Sequence, residues 1–330
     1  MNISAKELAK LINVSPATVS MVFNNKPGIS DATRELVLKT AAEYGYAPKK
    51  NESSGASSRI IQLVNYKKHG KVAADTPFFS QLTEGISTEC TRQGCALHIS
   101  YFYETMDIDS QLDALRAVDC EGILLLATEM APSDFRKFRD FSVPIVVVDC
   151  YYDELDYDCV LINNIQGAFN ATNYLIQCGH REIAAIFKAD DGQGHRRYAG
   201  YIEALMEADI RIEDKRIVWI DTEDVRNRNM REESSWILRR IQGCTACVCY
   251  NDEVASNLAA TCLEQKIKVP DKMSIIGIDD SDLANYCEVP LASVKNPIRE
   301  LAKKAAEEIL DLMQEKEVPD SVELKPEIIN

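Results

Sequence analysis

Several apolar runs in the second part of this 330-residue chain end on side chains that could bind a polar ligand. Asp149 closes "PIVVVD", Asn251 and Asp252 close "TACVCYND", and Asp279 and Asp280 close "MSIIGIDD". In "IAAIFKADDGQGHRRYAGY", Gln193 and Arg197 stand at the start of a helix. Carboxylates, amides and one guanidinium converging on a cleft form the donor and acceptor set that chelates sugar hydroxyls. The competing reading of any one aspartate at a strand end is a helix N-cap; four such ends together point to a ligand site.

Other chemistries lack their residues. The four histidines, His69, His98, His180 and His195, show no metal-ligand spacing. The eleven cysteines, an odd number scattered through apolar stretches such as "TACVCY", read as reduced core thiols, so neither a disulfide frame nor a metal site is expected. No GxGxxG follows a strand, no GxxxxGK is present, and no GxSxG elbow occurs, so no catalytic residue and no cofactor are expected. His180, in "CGHRE", reads as a cation capping the C-terminus of a helix.

The elements that must position these residues alternate in type. The strand-like runs "IIQLVNY", "ALHISYF", "GILLLA", "PIVVVD", "IAAIF", "RIVWI", "TACVCY" and "MSIIGI" are separated by amphipathic stretches such as Phe79–Gln93 and Glu253–Lys266. Near-continuous apolar strands between helices mean parallel sheets covered on both faces. About ten strands over some 270 residues imply an α/β body of two doubly wound lobes. In such sheets ligands bind beyond the carboxyl ends of the strands, where the polar residues above lie.

The N-terminal part is different. Residues 1–50 hold seven Lys/Arg against four Asp/Glu, a net of +3, so the rest of the chain carries −18 of the total −15. A basic head therefore precedes an acidic body. Ser4 with Glu7 forms a capping box, and Leu8, Leu11 and Ile12 share a face of a helix from Ala5 to about Ile12. Ser15 before Pro16 starts a second helix to about Phe23, with Val19, Val22 and Phe23 inward. Three residues, Asn13 to Ser15, separate the two, which makes a helix-turn-helix corner. A third helix begins after Ser30, buries Val37, Ala41 and Tyr44, and stops at Gly45.

The segment "VSPATVSMVFNN", with "GIS" and "YGYAP" downstream, resembles the N-terminal domain of the lactose/galactose repressor (LacI/GalR) family over residues 2–48. The resemblance implies a second helix in the major groove of operator DNA, with Pro16, Ala17 and Met21 facing base edges. It places Ser4, Ser15, Thr18, Ser20, Asn24 and Ser30 on phosphates, a role that short polar side chains at helix N-termini suit. Met21 stands where arginine is common in the family, and Met cannot donate the bidentate pair that reads guanine, so a more apolar readout is expected. Residues 49–59, "KKNESSGASSR", read as a flexible polar linker. In the family this stretch becomes a helix that wedges a leucine into the minor groove; here that position is Gly55, which cannot unstack a base step.

The body, about residues 59–328, resembles the periplasmic-binding-protein-like effector domains of the same family. Within that set "NATNYLIQCGH", "FKADDGQGHRRYAGY", "CYNDEVA", "KVPDKMSIIGIDDSDLA" and "SVKNP" look most like the effector domain of the arabinose repressors of Gram-positive bacteria. The resemblance implies effector contacts from Arg197, Asn251 and Asp279, with Asp149, Gln193 and Phe79 beside them. Those repressors end the "GILLLA" strand with a carboxylate; this chain has Leu126, with Thr128 or Glu129 the polar groups nearby.

The expected organisation is thus a helix-turn-helix head (1–48), a hinge linker (49–58) and a two-lobed effector-binding and dimerisation body (59–330). No apolar run reaches the ~18 to 20 residues that cross a bilayer, and the N-terminus lacks a secretory signal, so a cytoplasmic protein is expected. The function that follows is a homodimeric, sugar-responsive regulator of double-stranded operator DNA, a repressor relieved by a small sugar such as the pentose L-arabinose. The alternative is a global regulator whose body binds a partner protein.

Overall fold

The computed structural model describes residues 5–12, 14–15, 18–19, 22, 31–43, 59–68, 77–152, 154–221 and 230–329. The chain divides into two compact units, Met1–Ser58 and Arg59–Asn330.

In the first unit, α1 (Ala5–Leu11) and α2 (Asp31–Glu43) flank helical residues at Thr18, Val19 and Val22. Leu8, Ala9, Val19, Val22, Val37 and Ala41 form its core, with Ile12 and Val14 against them. The inward face of α1 is centred on Leu8 and Ala9, one position away from the expected one, so Leu11 is 53% exposed and packs in no core. The Ser4–Glu7 capping box, Phe23, Tyr44 and the linker lie outside the described residues and side chains.

The second unit has two parallel sheets. The first contains β1 (Arg59–Lys67), β2 (Cys95–Tyr103), β3 (Gly122–Leu126), β4 (Ile145–Val148), β5 (Asp158–Ile162) and β11 (Ser321–Leu324) in the order β11-β5-β4-β3-β1-β2. The second contains β6 (Ile183–Lys188), β7 (Ile217–Ile220), β8 (Ala246–Cys249), β9 (Ser274–Ile278), β10 (Ala292–Lys295) and β12 (Glu327–Ile329), ordered β12-β10-β9-β8-β6-β7. Every pairing is parallel except β10 with β12.

Helices cover both faces of each sheet, as buried parallel strands require. In the first lobe α3 (Pro77–Arg92) and α10 (Ile298–Leu312) pack on one face around Ile61, Leu63 and Leu124. On the other, α4 (Ile108–Arg116) and the 3₁₀ turn Pro132–Phe138 enclose Tyr66, Phe102 and Val147. In the second lobe α5 (Asn164–Gln177) and α6 (Gly192–Glu207) face α7 (Met230–Arg240) and α8 (Asp252–Glu264) across the sheet.

The chain passes between lobes three times: from β5 into α5, from β10 into α10, and from β11 to β12. The lobes are therefore not consecutive segments, and both depend on the C-terminal residues. Among the cysteines, all free, Cys178 is exposed and Cys120 and Cys287 are half-buried, so the core-thiol reading holds for the others alone. His180 departs from its expected role. Its ring bonds the hydroxyls of Thr245 (2.9 Å) and Ser274 (3.0 Å), which tie the starts of two strands together, while its backbone N–H supplies the cap to Leu175 O.

Candidate functional site

The ends of β4, β6, β8 and β9 meet between the lobes. Asp149 follows β4 with φ 62°, and Asp279 and Asp280 follow β9 at 127° and 51°. Positive φ is uncommon in residues with a Cβ and concentrates at functional sites. Here it turns two carboxylates out of their sheets. Neither caps a helix, whereas Asn251 does: its Oδ1 accepts from Val254 N at 3.0 Å and begins α8. Asp252 is taken up by structure, accepting from the hydroxyls of Ser281 and Ser293 and from Ser281 N.

Arg197 lies at the centre, on the second turn of α6, 6% exposed. Its Nε donates to Asn164 Oδ1 (2.8 Å), a second nitrogen donates to Tyr250 O, and a third lies 3.6 Å from Asp279 Oδ1. Its guanidinium also sits 4.6 Å from the centre of the Tyr250 ring. Asn296, at the second crossing, donates to Asp279 Oδ1 at 2.8 Å. Tyr250 in turn donates its hydroxyl to Asp191 Oδ2 at 2.6 Å, and Asp191 caps α6 through Gly194 N.

On the other side Thr128 donates its hydroxyl to Asp149 Oδ2 at 2.9 Å. Leu126 itself is buried in the first lobe's core, so Thr128 is what brings polar character to the end of β3. Glu129 instead accepts from Lys68 N at 2.7 Å. Burial pushes the Asp149 and Asp279 carboxyls up to about 7; Asp191 raises Asp149 further against Thr128 and Arg197, and Asp252 and Asp149 raise Asp279 further against Arg197.

Two cavities open here. One, about 410 Å³, is lined from both lobes by residues including Thr128, Asp149, Tyr151, Tyr152, Gln193 and Arg196, and its size suits a small ligand. The other, about 50 Å³, is lined by residues including Phe78, Asn251, Asp279, Ser281 and Ile298. The structure thus brings Asp149 and Gln193 to the larger space, Asn251 and Asp279 to the smaller, and Arg197 to the partition between them. Phe79 lines neither; it is buried in the first lobe's core, its ring 6.3 Å from that of Tyr101, and its neighbour Phe78 reaches the cleft.

Two of the buried polar groups left without a hydrogen-bond partner among the described residues are asparagines. Both side-chain atoms of Asn65, fully buried in β1, and Oδ1 of Asn296 have no hydrogen-bond partner. Such atoms are rare in a folded protein and are normally met by ordered water or a bound molecule. Sequence reasoning missed Asn164, Asn296, Asp191 and Tyr250. The signal for Asn164 was the "NN" that follows the apolar run "CVLI" of β5.

In the head, Ser15 Oγ accepts from Thr18 N at 3.0 Å and bonds Thr18 Oγ1 at 2.9 Å, which fixes the start of the second helix. The other expected DNA contacts, Ser4, Pro16, Ala17, Ser20, Met21, Asn24 and Ser30, lie outside the described residues.

Comparison with known proteins adds the rest. Residues 4–49 match the family of bacterial regulatory proteins named lacI, and residues 172–330 match a periplasmic binding protein-like domain. The HTH-type transcriptional repressor PurR of Vibrio atlanticus is 30% identical over 98% of this chain and 96% of its own length. The HTH-type transcriptional repressor CytR of Escherichia coli is 30% identical over 94% of this chain and 89% of its own. In fold, the chain matches the transcriptional regulator CelR in its cellobiose complex (TM-score 0.74, 24% identity, 100% and 99% of the two chains). It also matches the lac repressor dimer bound to operator and the anti-inducer ONPF (TM-score 0.72, 20% identity, 100% and 98% covered). A helix-turn-helix head joined to a two-lobed body, with 30% identity to repressors over nearly the whole chain, establishes that this chain belongs to the lacI family of bacterial regulatory proteins and is a DNA-binding transcriptional repressor.

Proposed function

We propose that the repressor controls sugar-utilisation genes and is relieved by a small sugar, such as the pentose L-arabinose, bound between the lobes. The observation that carries this reading is the convergence of Asp149, Thr128, Gln193, Arg197, Asp279 and Asn296 on one cleft with open space beside it. Two aspartates that accept and one guanidinium that donates suit neighbouring hydroxyls. The structural likeness to a regulator seen with cellobiose points the same way. A thermal-shift panel of free pentoses and hexoses on the purified chain tests it, because a ligand at 100 times its Kd stabilises the fold by ~2.7 kcal/mol. One sugar should raise the melting temperature, and silence across the panel overturns the reading.

One observation favours a body that meets a partner protein: Arg197, Asn164 and Gln193 satisfy one another, leaving about 50 Å³ beside Asp279. That reading predicts no response to any sugar. On DNA, the active form in this proposal is a homodimer, because two joined heads engage half-sites about one helical turn apart. Leu283 and Tyr286, 45% and 84% exposed in α9 (Asp282–Tyr286), and Ile99 and Tyr101 on β2 leave apolar surface for a second copy in each lobe. Tyr286→Glu should shift the chain from dimer to monomer by light scattering.

A further inference from the structure

Helix α6 reaches across the cleft twice. Gln193, 7% exposed, donates its amide N–H to the backbone carbonyl of Asp149, and Arg196 donates to the backbone carbonyl of Tyr151 at 2.9 Å. Both acceptors belong to the segment that follows β4 in the first lobe, and both donors to the second. The Arg196 guanidinium also lies 5.6 Å from the centre of the Tyr151 ring. Behind Gln193 the network continues without a break: its Oε1 accepts from Asn164, whose own Oδ1 accepts from Arg197. Asn164 begins α5 at the first crossing between lobes, so the hinge itself is tied into the chain of bonds.

We propose that Gln193 and Arg196 are a clasp that holds the lobes together, and that Gln193 is a positioning residue of the cleft. Three features support this. The bonds join the two lobes directly, from side chains of α6 to main-chain carbonyls after β4. Gln193, Asn164 and Asp149 are nearly devoid of solvent contact, so opening the cleft exchanges each bond for water and closing it requires each to form again. The receiving atoms are main-chain carbonyls, which no substitution of Asp149 or Tyr151 removes. The cavity of about 410 Å³ is bounded by both donors and by both acceptor residues, so the clasp also shapes the space left for a ligand.

The consequence is regulatory. A molecule that binds the closed cleft meets a state already populated, and one that needs the open cleft must first break the clasp; in either case the apparent affinity scales with the fraction of competent protein. This inference does not depend on which molecule the cleft takes.

Hydrogen–deuterium exchange on the full chain without ligand tests it, with Gln193→Leu and Arg196→Met as separate variants and far-UV circular dichroism to confirm folding. Clasp loss should speed exchange about tenfold on both lips, in peptides covering 149–152 and 192–198, in each variant, and small-angle scattering should show a larger maximum dimension. Acceleration in Gln193→Leu that stays within 192–198, with 149–152 and the scattering unchanged, would mean a purely local role and overturns the proposal. If Gln193→Leu fails to fold, Arg196→Met decides alone: unchanged exchange around Gln193 and Asp149 also overturns it.

Discussion

At the scale of single residues, Arg197 and Asp279 act as a unit. Charge-assisted bonds are worth ~1.5 to 3 kcal/mol net, and ~1.4 kcal/mol is a factor of ten in affinity. Arg197→Ala or Asp279→Ala should therefore weaken binding of the active sugar by roughly tenfold to a hundredfold, measured by calorimetry, while operator affinity without sugar changes little. Equal sugar affinity in both variants would move the site elsewhere. The buried carboxylates also set a pH dependence. Asp149, Asp279 and Glu308 rise to about 7 in the folded state because of burial, against ~4 when unfolded. A raised carboxylate pKa means that the folded form holds the proton more tightly, so their contribution is greatest below ~4 and is lost as pH rises toward ~7. Asp279 keeps a quarter of its side chain exposed, so its share is the smaller. Carboxylates lowered by a partner, such as Glu89 bonded to Arg92, work in the opposite sense and lose their contribution as pH falls below ~4. The melting temperature should accordingly be higher at pH 5.5 than at pH 8, and Asp149→Asn should flatten that slope. An unchanged slope in Asp149→Asn would remove the residue from this account.

At the scale of elements, the second lobe depends on close contact between α5 and α6. A Cβ on Gly200 would fall 2.0 Å from the backbone oxygen of Ile165, and backbone cannot yield as a flexible side chain does. Overpacking of this kind costs ~1 to 3 kcal/mol or more, so Gly200→Ala should lower the urea midpoint by a readily measured amount. The same contact places Asn164 within reach of Gln193 and Arg197, and the variant should loosen the cleft as well. In the linker, Gly55 offers no side chain to insert between bases. Operator DNA should be bent less than a leucine wedge imposes, and Gly55→Leu should increase bending in a fluorescence or gel-phase assay. A sharp kink with the natural sequence would assign the wedge to another side chain.

At the scale of the whole molecule, charge separates the two units. Residues 1–58 hold seven Lys/Arg against five Asp/Glu, a net of +2, and the second unit carries −17, so the body repels DNA phosphates and the head supplies the favourable contact. Removing residues 1–58 should abolish operator binding and leave a folded body, since the division between compact units falls at Ser58 and Arg59. Operator affinity of the whole chain should fall steeply with salt as phosphate contacts release counterions. Tight binding by the body alone, or affinity indifferent to salt, would contradict the charge argument.

The residue pattern by itself determined the class of fold and which polar residues stand at strand ends, because both are local in sequence. Apolar runs alternating with amphipathic stretches encode buried parallel strands and their covering helices, and strand-end polar residues in such sheets lie at the ligand cleft wherever the strands are placed. That reasoning found eight strands. It missed β5, β10, β11 and β12; β10 carries a lysine and β11 and β12 carry glutamates among few apolar residues, and β11 and β12 lie at sheet edges. It also misplaced Leu11 by one step around a helix and put Phe79 in the cleft, since which side of a helix faces inward depends on what packs there. Only the tertiary structure decided that the lobes interleave through three crossings. It alone showed Arg197 holding Asn164 and Tyr250, and α6 reaching the Asp149 and Tyr151 carbonyls. Those partners are 33 to 53 residues apart in sequence, and neither spacing nor periodicity carries information over that range; hydrogen bonds between side chains and distant carbonyls exist only once the two sheets are packed and the hinge has set the angle between them.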